Sequence, residues 1–391
     1  MRKRPRSPSE TPVSRRWIIP PPLLATGEVF PGHGILEEVP GDAGLLLWRC
    51  CSDVELWASV PPRDRRHLFS EEAWQKRMDA IALCSVPAMT AFQLRITAEV
   101  LTNGESVQPL KISAACQVLS AWASSQGYPR TAIALAQAGA LAAPSDATSA
   151  FHVGLAARKI ANYPKAESWF RRAIGVARRA RDWKAYALAY NGLGSMYMQR
   201  GAVPLAKASL VSALKAARAH GVWSVRGPVL HDLFILAANA GDWPEADRLA
   251  RRAFRAYGKR HPRLPALAYD VAYSWMLRGF FDQALPVFQA VVERTNDRSL
   301  RLLFLSSLAR AASAAGKKML FAEAWVEAWA IIHGNESTER VPEALINLAR
   351  AARRRSTMVS GHILRHTMRC PSRSCAKRHM RASRLNRSSI R

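Results

Sequence analysis

Acidic residues are scarce in this chain. Across 391 residues, 29 Asp and Glu face 57 Lys and Arg, a formal net charge of +28. The imbalance is uneven: six of the first sixteen residues are Lys or Arg against Glu10 alone, and thirteen Lys or Arg follow Glu343 with no acid among them. The ends hold eighteen of the excess charges, so the basic character belongs mainly to the termini. Cysteine is sparse too. The six cysteines, at 50, 51, 84, 116, 370 and 375, lack the spacing of a disulfide framework, which argues against a secreted scaffold and for the cytoplasm. No apolar run approaches the ~18 residues of a membrane span, so no membrane partner is expected. Ser14, Arg15 and Arg16 echo a twin-arginine export signal, but Pro20, Pro21 and Pro22 break the apolar segment such a signal needs. Residues 1–41 read as a disordered leader rich in Pro and Arg. Alternation of period two is missing over any useful length, so strands are not expected.

Motifs for chemistry are missing as well. There is no Ser, His and Asp set, no Gly-rich phosphate loop and no HExxH zinc motif, so neither an enzyme nor a cofactor is expected. His152 and His231 have no carboxylate at a spacing that would orient them. His362, His366, Cys370, Cys375 and His379 are the right types for zinc, but structural sites use close pairs held by turns or strands. Here they are scattered through an Arg- and Ser-rich stretch without an apolar framework, which reads as a disordered tail holding no metal. Cys51 falls on an apolar helical stripe and reads as a small core residue.

What the chain does contain is one phrase said twice. KIANYPKAESWFRRAI begins at Lys159 and NAGDWPEADRLARRAF at Asn239. Aligned on Ala166 and Ala246, the middle of the chain gives a series of alanines, Ala132, Ala166, Ala206, Ala246 and Ala284. Five residues before each stands a small residue: Gly127, Ala161, Gly201, Gly241 and Gly279. Four residues after each comes a side chain for a core: Ala136, Phe170, Leu210, Ala250 and Phe288. Steps of three and four place these residues on one helix face, and the small residue supplies the left-handed turn that ends a preceding helix. Asp182 is placed to cap a helix, and Pro228 and Pro265 to occupy first turns.

With Tyr190, Leu193, Gly194 and Tyr197 as a helix A signature upstream, the pattern resembles the tetratricopeptide repeat, of the bacterial kind with lengthened helices. Units start near 113, 147, 187, 227, 265 and 302, with a partial unit at 342; in the 302 unit KKMLFAEAW shifts the alanine by one. The resemblance implies an all-α fold, an α-solenoid of stacked antiparallel helix pairs, over 110–352. Residues 42–109 contain three further helical patterns and read as a helical extension packed on the first repeat, with Asp42 capping the first pattern. Residues 353–391 read as a basic disordered tail, either a genuine arm or the product of a shifted reading frame, because the pattern breaks inside a repeat.

The resemblance also implies a concave groove lined by helix A at its second, fifth, ninth and twelfth places. Those places hold Phe151, Arg158, Asn191, Ser195, Met198, His231, Ile235, Tyr269, Tyr273, Met276 and Arg310. Aromatic and Met side chains offer area and Asn and Ser offer hydrogen bonds, which suits a protein or peptide partner. The family's carboxylate clamp needs Lys and Asn on neighbouring helices, and only Asn191 matches, so the clamp is not carried over. The expected function is a protein–protein interaction scaffold or adaptor. Its alternatives are a sensor of a small peptide signal, or nucleic-acid association through the basic termini. Arg171, Arg172, Arg251 and Arg252 face outward on helix B, and Glu167 and Asp247 four residues earlier make them read as a solvated face rather than a nucleic-acid ridge.

Overall fold

The computed structural model describes residues 33–102, 107–334 and 340–356. The leader before residue 33, the tail after 356, and with it His362, His366, Cys370, Cys375 and His379, lie outside the described residues. Helix is the regular structure throughout, with no strand among the described residues. The extension contributes α1 (His33–Glu38), α2 (Gly41–Ser59), α3 (Ala73–Leu83) and α4 (Ala88–Ala98). Helix pairs follow: α5 (Pro109–Ser125) with α6 (Pro129–Ala142), α7 (Ala147–Lys159) with α8 (Tyr163–Ala180), and α9 (Trp183–Gln199) with α10 (Val203–Ala219). Next are α11 (Trp223–Asn239) with α12 (Trp243–Tyr257), α13 (Leu264–Leu277) with α14 (Phe281–Arg294), α15 (Arg298–Ala314) with α16 (Lys318–His333), and α17 (Val341–Ser356). The chain falls into two compact units that divide between Leu267 and Ala268.

The hinge of each pair is the same local device. Gly127, Ala161, Gly201, Gly241, Gly279 and Gly316 all adopt φ between +57° and +86°. The next residue then donates its N–H back across the helix end, as from Ala202 to Tyr197 O and from Asp242 to Ala237 O, at 2.9 and 3.0 Å. A left-handed residue followed by that bond ends a helix and satisfies a carbonyl that would otherwise be orphaned. Helix starts are capped where the sequence places Asp or Asn: Asp146, Asn162, Asp182, Asp242 and Asp297 each accept from a first-turn N–H. Two expected starts move. Pro40, with no side-chain bond, precedes α2, and Asp42 lies inside its first turn. Pro228 sits inside α11, which begins at Trp223, because helix A has grown by a turn at its N-terminus.

Packing follows the alanine register. Ala132, Ala166, Ala206, Ala246 and Ala284 are buried, and Phe170, Leu210 and Phe288 fill the space one turn further on. Their room comes from glycine. A Cβ on Gly154 or Gly192 would stand 2.6 or 2.5 Å from the Phe170 ring, and one on Gly194 would stand 2.6 Å from Leu210. In the 227 unit the sizes are exchanged: Phe234 is buried on helix A, and Ala250, only half-buried, leaves the core places to Leu249 and Ala253. Phe321, five residues after Gly316, is itself buried where other units place Ala, while Ala322 is exposed, so the 302 unit keeps its register and changes its residue. In α17 the buried residues are Ala344, Asn347, Leu348 and Ala351, whereas a unit starting at 342 would turn Leu345, Leu348, Ala349 and Ala352 inward, so the helix is rotated by about one residue from the repeat pattern. Within each unit, then, antiparallel helix pairs stack on their neighbours.

The extension and first repeat share one core, in which Ile35, Leu47, Val54, Ile81, Leu94, Ile112 and Leu135 are all buried. That core begins inside the segment read as a leader: Glu38 of α1 accepts from Arg130 N and Thr131 N at 2.9 and 2.8 Å, capping α6. Arg77 ties α3 to α2 through Asp53 at 2.6 Å. Cys50, Cys51 and Cys116 are buried, and burial pushes the thiols of Cys50 and Cys116 up to about 12, which leaves them unreactive.

Candidate functional site

In the first unit, three successive helices A bring polar side chains into a row. Arg158 stands in the last turn of α7, Asn191 and Ser195 one turn apart on α9, and His231 and Asp232 adjacent on α11. Ser195 Oγ lies 2.5 Å from Asp232 Oδ2 and 3.1 Å from the Asn191 carbonyl. Burial pushes the Asp232 carboxyl above the ordinary aspartate value, against the Ser195 hydrogen bond and the charges of His231, Arg263 and Arg158. Burial likewise holds the Arg158 guanidinium below its ordinary value, with Asp232 opposing. Two atoms of the row are buried without a hydrogen-bond partner among the described residues: Arg158 Nε, a donor, and Asn191 Oδ1, an acceptor.

The second unit finishes its helix A row differently. Tyr269 is buried, with its hydroxyl 2.9 Å from Ser307 Oγ and its ring centre 4.7 Å from that of Phe304. Arg310 Nη1 donates to Tyr273 Oη at 3.0 Å and to Asn347 Oδ1 at 3.2 Å. Asn347 Nδ2 in turn donates to Ser307 Oγ at 3.1 Å. Side chain answers side chain around this network.

Of the eleven groove candidates, then, the structure gathers Arg158, Asn191, Ser195 and His231 in one row and Tyr269, Tyr273 and Arg310 in another. Tyr269, Met276 and His231 are buried, and His231 Nδ1 meets the Tyr257 hydroxyl at 3.3 Å. Phe151, Met198 and Ile235 are half-buried, and the Phe151 ring centre lies 5.9 Å from that of Phe170. Asp232 was missed by the groove positions because it occupies the sixth place rather than the fifth; its signal is that it is the sole acid in α11. Asn347, the sixth place of the partial unit at 342, was missed for the same reason of register, and Arg263 because it precedes the helix A of its unit. Two hollows lie elsewhere, of about 660 Å³ beside Asp282, Leu285 and Met319 and about 530 Å³ beside Val211, Leu214 and Lys215, and none of the eleven lines either. No group of three His, Cys, Asp or Glu among the described residues could hold a metal. No described helix is long and apolar enough to cross a membrane.

The outward arginines divide. Arg171 pairs with Glu167 at 2.9 Å and Arg251 is exposed, but Arg172 turns inward, buried, and donates to the Pro144 carbonyl at 3.0 Å.

No family model and no curated protein matches the chain. Among solved structures it is similar to PilF of Pseudomonas aeruginosa, 14% identical over 55% of this chain and 89% of that one, with a TM-score of 0.40. It is similar also to a putative kinesin light chain of Podospora anserina with TPR-like repeats, 21% identical over 48% and 95%, with a TM-score of 0.39. The APC/C hetero-tetramer Cut9–Hcn1 is 14% identical over 81% of this chain and 56% of that one, with a TM-score of 0.45.

Proposed function

We propose that this chain is a protein–protein interaction module whose first unit holds an extended segment of a partner polypeptide across α7, α9 and α11. The observation that carries this reading is the pair of buried, unpartnered atoms, Arg158 Nε and Asn191 Oδ1. A buried donor or acceptor left unpaired costs stability, so its persistence calls for an account. A peptide backbone supplies both an acceptor and a donor, the complement of these two atoms. Ser195 and Asp232 fix the neighbouring surface, and half-buried Phe151, Met198 and Ile235 offer apolar area beside it. The reading assigns no reaction and no cofactor to the chain. The unbonded Cys50, Cys51, Cys84 and Cys116 suit the cytoplasm as its compartment.

The test is a selection of random displayed peptides on the full-length chain, followed by affinity measurement on single variants. Selected peptides should lose about tenfold in affinity with Asn191→Ala or Arg158→Ala, the worth of one good hydrogen bond in a desolvated site. Peptides that bind equally well to both variants would place the binding surface elsewhere.

A further inference from the structure

A second cluster, on α10, α11 and α12, uses none of the residues of that row. Between Val203 and Tyr257 the chain carries eight Lys or Arg against four acids. Of those acids, Asp232 belongs to the row above, Asp242 caps α12, Glu245 is held by Arg248 at 2.5 Å, and half-buried Asp247 on α12 has an interaction of its own. Arg252 is half-buried and within electrostatic reach of Arg218, Arg248 and Arg226; its burial and these like charges, opposed by Glu245, hold its guanidinium below the ordinary value. Arg226 stacks on Trp223, with its guanidinium carbon 4.8 Å from the ring centre, and its Nε is buried without a hydrogen-bond partner among the described residues. Trp223 itself is 63% exposed, and the 530 Å³ hollow beside Lys215 and Arg218 lies on the same α10.

Basic residues near a helix C-terminus are ordinary, because they complement the helix dipole. That accounts for Arg218 at the end of α10 and Arg255 at the end of α12. It does not account for Arg226, the fourth residue of α11, which places a cation at the positive end of a helix. Nor does it account for gathering guanidiniums around Arg252 with one acid already committed. Such an arrangement is self-repelling until an anion joins it. The exposed indole narrows the class of anion: an acidic peptide or free phosphate would engage the arginines but leave the Trp223 face unused. A nucleotide uses both; several guanidiniums match the successive phosphates of a strand, and among strands only an unpaired one has a free base face to stack.

We propose that Arg218, Arg226 and Arg252, with Trp223, form a binding site for single-stranded nucleic acid, with phosphates on the guanidiniums and a base on the open indole face. The probe is a labelled oligothymidylate of about 20 nucleotides, longer than a ~4–16-nucleotide site, bound to the full-length protein and followed by fluorescence anisotropy. The salt series runs from roughly 50 to 200 mM. In the triple variant Arg218→Gln, Arg226→Gln, Arg252→Gln, the slope of log affinity on log salt should shrink by about 2, since each phosphate contact on a single strand contributes about 0.7. Thermal stability should hold or rise, because like charges have been removed; a merely structural role would lower it. Trp223→Ala should weaken binding by about tenfold, as the loss of one stacked base does. An unchanged salt slope in the triple variant overturns the proposal, as does equal or tighter binding of the duplexed oligonucleotide or of an oligoglutamate. Should the triple variant fail to fold, Trp223→Ala decides, since its side chain is exposed: undiminished affinity overturns the proposal.

Discussion

Each compact unit carries one row of polar side chains on helix A, and the two rows are finished in opposite ways, although Ser274 Oγ and Ser299 Oγ elsewhere on the helices A of the second unit also lack a partner among the described residues. In the second, Tyr269, Ser307, Asn347, Arg310 and Tyr273 satisfy one another around a buried aromatic cluster. In the first, Ser195 and Asp232 are paired, yet Arg158 Nε and Asn191 Oδ1 beside them are left without partners. A closed network contributes to folding, whereas one left open costs stability. On the proposed function, the difference separates a polar core from a surface prepared for a ligand, on what the sequence presents as the same repeat.

The comparison breaks first if the second row is not core. Tyr269→Ala removes a buried ring packed on Phe288 and Phe304 and should cost ~3–5 kcal/mol in a denaturation experiment. A loss under about 1 kcal/mol would mean that Tyr269 is free to serve a ligand. The first row is sharpened by the back of its own central helix. Gly194 lies on α9 between Asn191 and Ser195 in sequence but faces Leu210, so Gly194→Leu should overpack and cost ~1–3 kcal/mol. An unchanged midpoint there would leave α9 too loosely packed to hold a binding row in place.

Asp232 gives the row a pH signature. Its folded carboxyl titrates above the ordinary 3.8, so the folded state binds the proton more tightly than the unfolded chain. Its contribution is therefore full at pH below that ordinary value and is lost as pH rises through the raised one. Stability measured against pH should decline across that window in the wild type, and Asp232→Asn should remove that part of the slope; the same slope in both would show that the carboxyl is solvated. Ala161, in the turn after Arg158, should show the smallest effect. It holds φ +57°, where a Cβ is unfavourable, so Ala161→Gly should stabilise by roughly 0.5 kcal/mol or be neutral, and clear destabilisation would show that its methyl packs.

Much of the fold was legible because the repeat speaks through positions that tolerate few residues. The left-handed turn admits Gly, and in one unit Ala161; the contact between helices A and B admits Ala, so both recur at fixed distances. Where two solutions exist the pattern misleads. Phe234 with Ala250 exchanges the usual sizes, and Phe321 takes an alanine's place, since only the summed volume of facing side chains is constrained. Groove positions were less legible still. Neighbouring places on helix A differ by about 100° of rotation, so carrying over the fifth place found His231, which packs on Tyr257, and passed over Asp232 beside it. Whether a polar side chain is answered by another depends on residues some 37 to 41 positions away, as with Ser195 and Asp232 or Asn347 and Ser306, and no local pattern reports that.

The two asparagines test the contrast most directly, because the same substitution should act in opposite directions. Thermal unfolding of Asn347→Leu should fall by several degrees, since Ser307 and Arg310 lose partners in a buried site at a cost of ~1–3 kcal/mol. Asn191→Leu deletes an acceptor that already lacks a hydrogen bond, so its midpoint should stay level or rise. A fall for Asn191→Leu as large as that for Asn347→Leu would contradict the account, because it would make the first row a structural network like the second.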